Sequence, residues 1–147
     1  MEETNYANRK IIILASGLIV LNWIMSFLLT YITIAVTPFL YIIVAAMICI
    51  LTQQLNLVYK SLIIALLIII NDLVLKWTTQ AYKLPENMEF INLMRLLGMI
   101  PAYLTVLIDA LVTKKRSIGE KVLAIVLFPA LIAAYIFGTA LIVNNIP

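Results

Sequence analysis

The chain has no histidine and one cysteine, Cys49, among its 147 residues. Without histidine, zinc sites built on Cys and His are excluded. Cys–His and Ser–His–Asp catalysis within the chain is excluded for the same reason. A single cysteine cannot close an intramolecular disulfide. Cys49 lies in an apolar run and reads as a small packed hydrophobe. Charge is also scarce, at 12% of residues, about half the share of a soluble domain. No polar stretch is long enough to form a separate soluble domain.

What fills the chain instead is apolar surface. It is 65% hydrophobic, with a mean hydropathy of +1.12. A soluble core of this length cannot hide so much, so the sequence reads as an integral membrane protein with the lipid bilayer as its first partner. The net charge is +3, but the basic residues stand at helix ends, where membrane topology places them. They form no basic patch, and no nucleic-acid partner is expected. No motif calls for a cofactor or a metal. Arg9-Lys10 precede an apolar run that continues well beyond the roughly 7–15 residues of a signal peptide, and no small-residue cleavage site closes it. The expectation is a first transmembrane helix that stays.

No charge interrupts Ile11–Tyr59. One helix of that length exceeds a bilayer core of about 30 Å roughly twofold, so the run must turn back. Thr37-Pro38 is the expected place, with threonine as N-cap and proline at the first helical position. Five helices follow, over about 11–33, 38–54, 58–79, 88–113 and 118–143, as one all-α transmembrane bundle. The alternative is four spans plus a re-entrant segment, which needs a cavity to line. Tyr31 and Tyr41 are expected near one interface. Gln53-Gln54-Leu55-Asn56 and Ala81–Glu89 are the polar breaks, with Asn87 as a cap for the fourth helix. Gly98 and Pro101 predict a kink in that helix. Ser117 and Glu120 have the spacing of a capping box for the fifth.

With five spans, one side of the membrane holds Arg9, Lys10, Lys60, Lys114, Lys115, Arg116 and Lys121. The other holds Lys76, Lys83 and Arg95. Seven of the ten basic residues therefore fall on the N-terminal side, which predicts N-terminus inside and C-terminus outside in a cytoplasmic (inner) membrane. Three proline-centred fragments, at Pro38, Pro101 and Pro129, are too short to establish an internal repeat.

The stretch Lys60–Lys83 carries the clearest chemistry. After the apolar run Leu62–Ile70 come Asn71, Asp72 and, one turn on, Lys76. An acid and a base at i and i+4 share a helix face, and ionisable residues inside a membrane helix mark a functional-site hypothesis. Counting about 1.5 Å per residue from Lys60 puts Asp72 roughly 18 Å deep. Lys76 falls at roughly 24 Å and Arg95, counted from Lys114, at roughly 28 Å, so Asn71, Asp72, Lys76 and Arg95 gather in the outer half as one intramembrane charge cluster. Two roles fit it: a relay or ligand site, or a structural ion pair with Lys76 reaching toward the interface. Asp109 is a second intramembrane acid, near the other face, expected to pair with its own helix end or with Lys114-Lys115-Arg116. The two aspartates differ in depth by roughly 10 Å, which separates them too far to share a proton as an aspartyl dyad does. Ala130, Ala134 and Gly138 recur every four residues as a helix-packing face for this chain or another subunit.

The sequence thus predicts a non-enzymatic inner-membrane subunit, of a transport or ion-conducting assembly or another multisubunit complex, in a homo- or hetero-oligomer. A membrane-acting effector or its immunity partner is the alternative. A small intramembrane lipid-modifying enzyme is a third, and it would need convergent catalytic groups that the sequence does not assemble.

Overall fold

The computed structural model describes residues 2–52, 54–81 and 88–144, with side chains over 6–52, 54–79 and 92–139. Five α-helices make up the described chain: α1 (Glu2–Leu28), α2 (Thr30–Ala46), α3 (Leu57–Ala81), α4 (Met88–Val112) and α5 (Ile118–Asn144). A π-helical stretch, Met47–Leu51, continues α2. All five helices are long and apolar enough to cross a membrane. The protein is an all-helical multi-pass bundle.

The first reversal is not at Thr37-Pro38. It falls on Leu29 alone, whose backbone (φ −140°, ψ 57°) leaves the helical region. Asn22 and Thr37, nearly equidistant from Leu29, face each other across the hairpin. Hydroxyl side chains hold the helix ends around this one-residue break. Ser26 donates to the Trp23 carbonyl (2.7 Å), Thr30 to Ser26 (2.8 Å) and Thr33 to Leu29 (3.0 Å). Thr37 does not cap a helix. Its hydroxyl bonds back to the Thr33 carbonyl at 2.7 Å, one turn earlier, a habit of threonine inside helices. Pro38 is buried within α2. It frees the carbonyl of Ile34 without ending the helix, as happens in membrane helices enclosed by neighbours. Likewise α4 runs unbroken through Pro101 and α5 through Pro129. The second helix ends at Leu51 rather than Gln54. Pro85 and Asn87 in the α3–α4 connection, and Ile146 and Pro147 at the C-terminus, lie outside the described residues.

Helix pairing departs from chain order. α2 packs chiefly on α4, and α3 on α5, while α1 lies against α2 and α3. Four hydrogen bonds join α3 to α5, and all span the same sequence separation of 63: Leu57 to Glu120, Ser61 to Ala124, Asp72 to Tyr135, and Lys76 to Thr139. A constant separation means that the two helices run parallel and in register. The positions on α3 are spaced by 4, 11 and 4 residues, close to whole turns at about 3.6 residues each, so one face stays on its neighbour. Pro38 and Pro101 share the separation of 63. The hairpins α2–α3 and α4–α5 therefore lie side by side in parallel, with α1 added.

Small residues set the helix spacing. Ala15, Ala45, Ala65 and Ala102 are fully buried among Ile19, Tyr41, Val44, Ile64 and Ile68. In lipid no hydrophobic drive joins helices, so close backbone packing carries much of the association. The tightest approach is at Gly98 on α4. A Cβ there would stand 2.8 Å from Pro38 Cα and 2.8 Å from Tyr41 Cδ2. Gly98 is thus the contact point of α4 on α2.

Candidate functional site

Asn71 and Asp72, adjacent on α3, face opposite halves of the bundle and are both fully buried. Asn71 serves α1 and α2. Its Oδ1 accepts from Asn22 Nδ2 at 3.0 Å, and its own Nδ2 donates to the Tyr41 hydroxyl at 3.1 Å. Asn22 Nδ2 also approaches Thr37 Oγ1 at 3.4 Å. Asp72 serves α4 and α5. Arg95 Nε on α4 is in direct contact with Oδ1, and the Tyr135 hydroxyl on α5 donates to Oδ2. Lys76 Nζ stands further off, 3.7 Å from Oδ2. It donates to Thr139 Oγ1 at 3.3 Å and lies 4.7 Å from the centre of the Tyr135 ring. Arg95 also donates to Asn92 Oδ1 at 2.8 Å. Two neighbouring residues of α3 thereby tie all five helices together.

The expected cluster of Asn71, Asp72, Lys76 and Arg95 is brought together, with a different order of partners. Arg95, on another helix, meets the carboxylate more closely than Lys76, one turn along the same helix. The Lys76 side chain keeps 26% of its surface exposed while Asp72 keeps none. One carboxylate facing two cations leaves the layer with a net charge of +1.

A second polar layer lies toward the other end of the bundle. Lys60, expected at the interface, is buried, and its ammonium forms a 2.9 Å ion pair with Asp109 Oδ2. Asp109 was expected to pair with its own helix end or with the basic run Lys114-Lys115-Arg116. Lys60 takes that place because it lies just inside α3, opposite α4. Within its own helix, Asp109 approaches only the Thr113 hydroxyl, at 3.4 Å. Lys60 also donates to the Cys49 carbonyl at 2.8 Å. That carbonyl belongs to the last turn before Thr52, where acceptors lack a helical partner and a cation is favoured.

Below this layer the connections are stitched by side chains. Ser117 Oγ accepts from the Glu120 backbone N–H at 3.2 Å, the serine half of the capping box. The glutamate half is diverted: Glu120 Oε1 accepts from Leu57 N at 3.0 Å, at the start of α3. Arg116 donates to the carbonyls of Gln54 and Leu55 at 3.1 and 3.3 Å.

Among the described residues, no helix packs on the face at Ala130, Ala134 and Gly138. Ala130 and Ala134 are exposed, and a Cβ at Gly138 would meet nothing within 4 Å. No group of three or more acidic or cysteine side chains able to hold a metal occurs among the described residues. Asn22 and Tyr135 belong to the site and were not singled out from sequence; Thr37, expected as a cap, and Tyr41, expected near an interface, are buried in it instead. Asn22 had a readable signal, as the only amide side chain between Ile11 and Thr52.

No family model, curated protein or solved structure matches the chain.

Proposed function

We propose that the chain is a non-enzymatic subunit of a multisubunit membrane complex, in a cytoplasmic membrane, with its N-terminus inside and its C-terminus outside. The observation that supports this reading is the enclosure of Asp72 between cations and a tyrosine hydroxyl. Its oxygens are engaged by Arg95, Tyr135 and Lys76, in full enclosure. A carboxylate so engaged fixes helices in place. With no exposed surface of its own, it lines no open path along which a proton or ion could step. Convergent nucleophile, base and oxyanion donor are the needs of an enzyme, and the charged groups described here are two cations around one acid. A transport or ion-conducting complex is the leading setting, because such assemblies combine small helical subunits around a pathway that one subunit need not line alone.

The outward face of α5 is where a further subunit has room to pack. Purification from the native membrane in mild detergent should bring other membrane chains with this one. Gly138→Leu should leave the bundle folded, since a Cβ added there meets nothing within 4 Å among the described residues. The same change should deplete the co-purifying chains, because a large side chain holds backbones apart. A Gly138→Leu protein that retains all of its companions would show that this face meets only lipid. A chain that purifies alone would remove the subunit reading.

A further inference from the structure

The unbalanced charge of the Asp72 layer sits at a particular height. Asn71 is level with Asn22 of α1, and the α1–α2 reversal at Leu29 lies seven residues beyond Asn22. Lys76, five residues beyond Asn71, therefore stands about 3 Å short of that reversal. Thr139 of α5 is at the same level through its hydrogen bond with Lys76. Exposed Trp77 and Tyr31 stand at the same end, as aromatic side chains do where hydrocarbon gives way to headgroups. The surplus cation is thus near this end of the bundle, where a lysine side chain can extend toward lipid phosphates.

Donor accounting points the same way. An ammonium has three N–H groups. Lys76 spends one on Thr139 and faces Asp72 only at 3.7 Å. Arg95 has five N–H donors; Nε faces Asp72, and one on Nη1 goes to Asn92. The Thr139 hydroxyl passes its own proton to the Ile136 carbonyl at 3.0 Å, so it acts as an acceptor that holds Lys76 in place. The remaining donors on Lys76 and Arg95 flank one carboxylate that cannot neutralise both.

We propose that Lys76 and Arg95, with Thr139 as the positioning group, bind one anionic phosphate group, supplied by a membrane phospholipid headgroup. A phosphodiester carries the single negative charge that balances the layer, and its oxygens accept from both cations. This inference goes beyond the assembly reading and is independent of it, since it needs no second protein.

The test uses the purified full chain in detergent, with bound lipid counted by native mass spectrometry. Phosphatidylglycerol should be retained in preference to phosphatidylcholine, whose headgroup carries its own cation, and millimolar inorganic phosphate should not displace it. Lys76→Gln should weaken retention about fivefold, the worth of one basic residue at a membrane surface. Lys76→Arg should restore it, and Lys10→Gln, at the opposite end, should not change it. Helix content by circular dichroism checks the fold of each variant. Thr139→Val, which keeps every charge, should also weaken retention and serves where Lys76→Gln does not fold. Equal retention of both lipids, or equal retention by wild type and both weakened variants, overturns the proposal. Displacement by inorganic phosphate overturns the headgroup as its source.

Discussion

The two polar layers of the bundle solve one problem in different ways. Around Lys60 the charges match one to one: a single ammonium, a single carboxylate and a helix-end carbonyl. Around Asp72 one carboxylate serves two cations and a tyrosine hydroxyl, with an amide network continuing from Asn71 to α1 and α2. The balanced layer joins α3 to α4 and to the end of α2. The unbalanced layer joins all five helices. The difference teaches where the bundle depends on one residue. Loss of Arg95 leaves Asp72 with Lys76 and Tyr135, whereas loss of Asp72 leaves two cations facing each other inside the membrane. Redundancy protects the cations and concentrates the risk on the acid.

That asymmetry predicts an order of effects. Asp72→Asn should be the most damaging of the single changes considered, costing about 3–5 kcal/mol, the range for orphaning a buried charged partner. Unfolding in mixed micelles would read it, and a loss below that of Lys60→Met would break the comparison. Lys60→Met should cost about 2 kcal/mol, between buried and surface pairs. The Asp109 it abandons keeps 17% of its side-chain surface and lies near the end of its helix, where water can reach it. Asn22→Leu should cost least, about 1 kcal/mol, because it removes neutral interhelical hydrogen bonds of the kind that contribute modestly in membranes. The same unfolding assay, run on all three, would sharpen the ranking.

How much of this was readable in advance divides along physical lines. The five spans were legible because their lengths and lack of charge leave a bilayer few options. The gathering of Asp72, Lys76 and Arg95 in one half of the membrane was legible too, because residue counts give depth along a helix at about 1.5 Å per residue; the direct contact of Arg95 with Asp72 was not. Rotation and neighbour choice were not. Depth alone does not say that Lys60 turns inward to Asp109, or that α3 pairs with α5 rather than with its neighbours in sequence. The first reversal was misplaced because Thr37-Pro38 carries the composition of a helix start. The actual break at Leu29 has no cap residue; the serine and threonines around it bond to carbonyls within their own turns. The small-residue spacing on α5 was legible as a pattern, but nothing in it says whether it points into the bundle or away from it.

The account rests on Asp72 as a structural tie, and a double-mutant cycle tests that most directly. Asp72→Asn, Arg95→Met and the double variant are compared with wild type for unfolding stability in the same micelles. A tie predicts strong coupling: the double variant, with neither charge left facing the other's empty place, should be more stable than Asp72→Asn alone, by more than about 1 kcal/mol. Simple additivity of the two single losses would contradict the account, and Asp72 would then be free for another role.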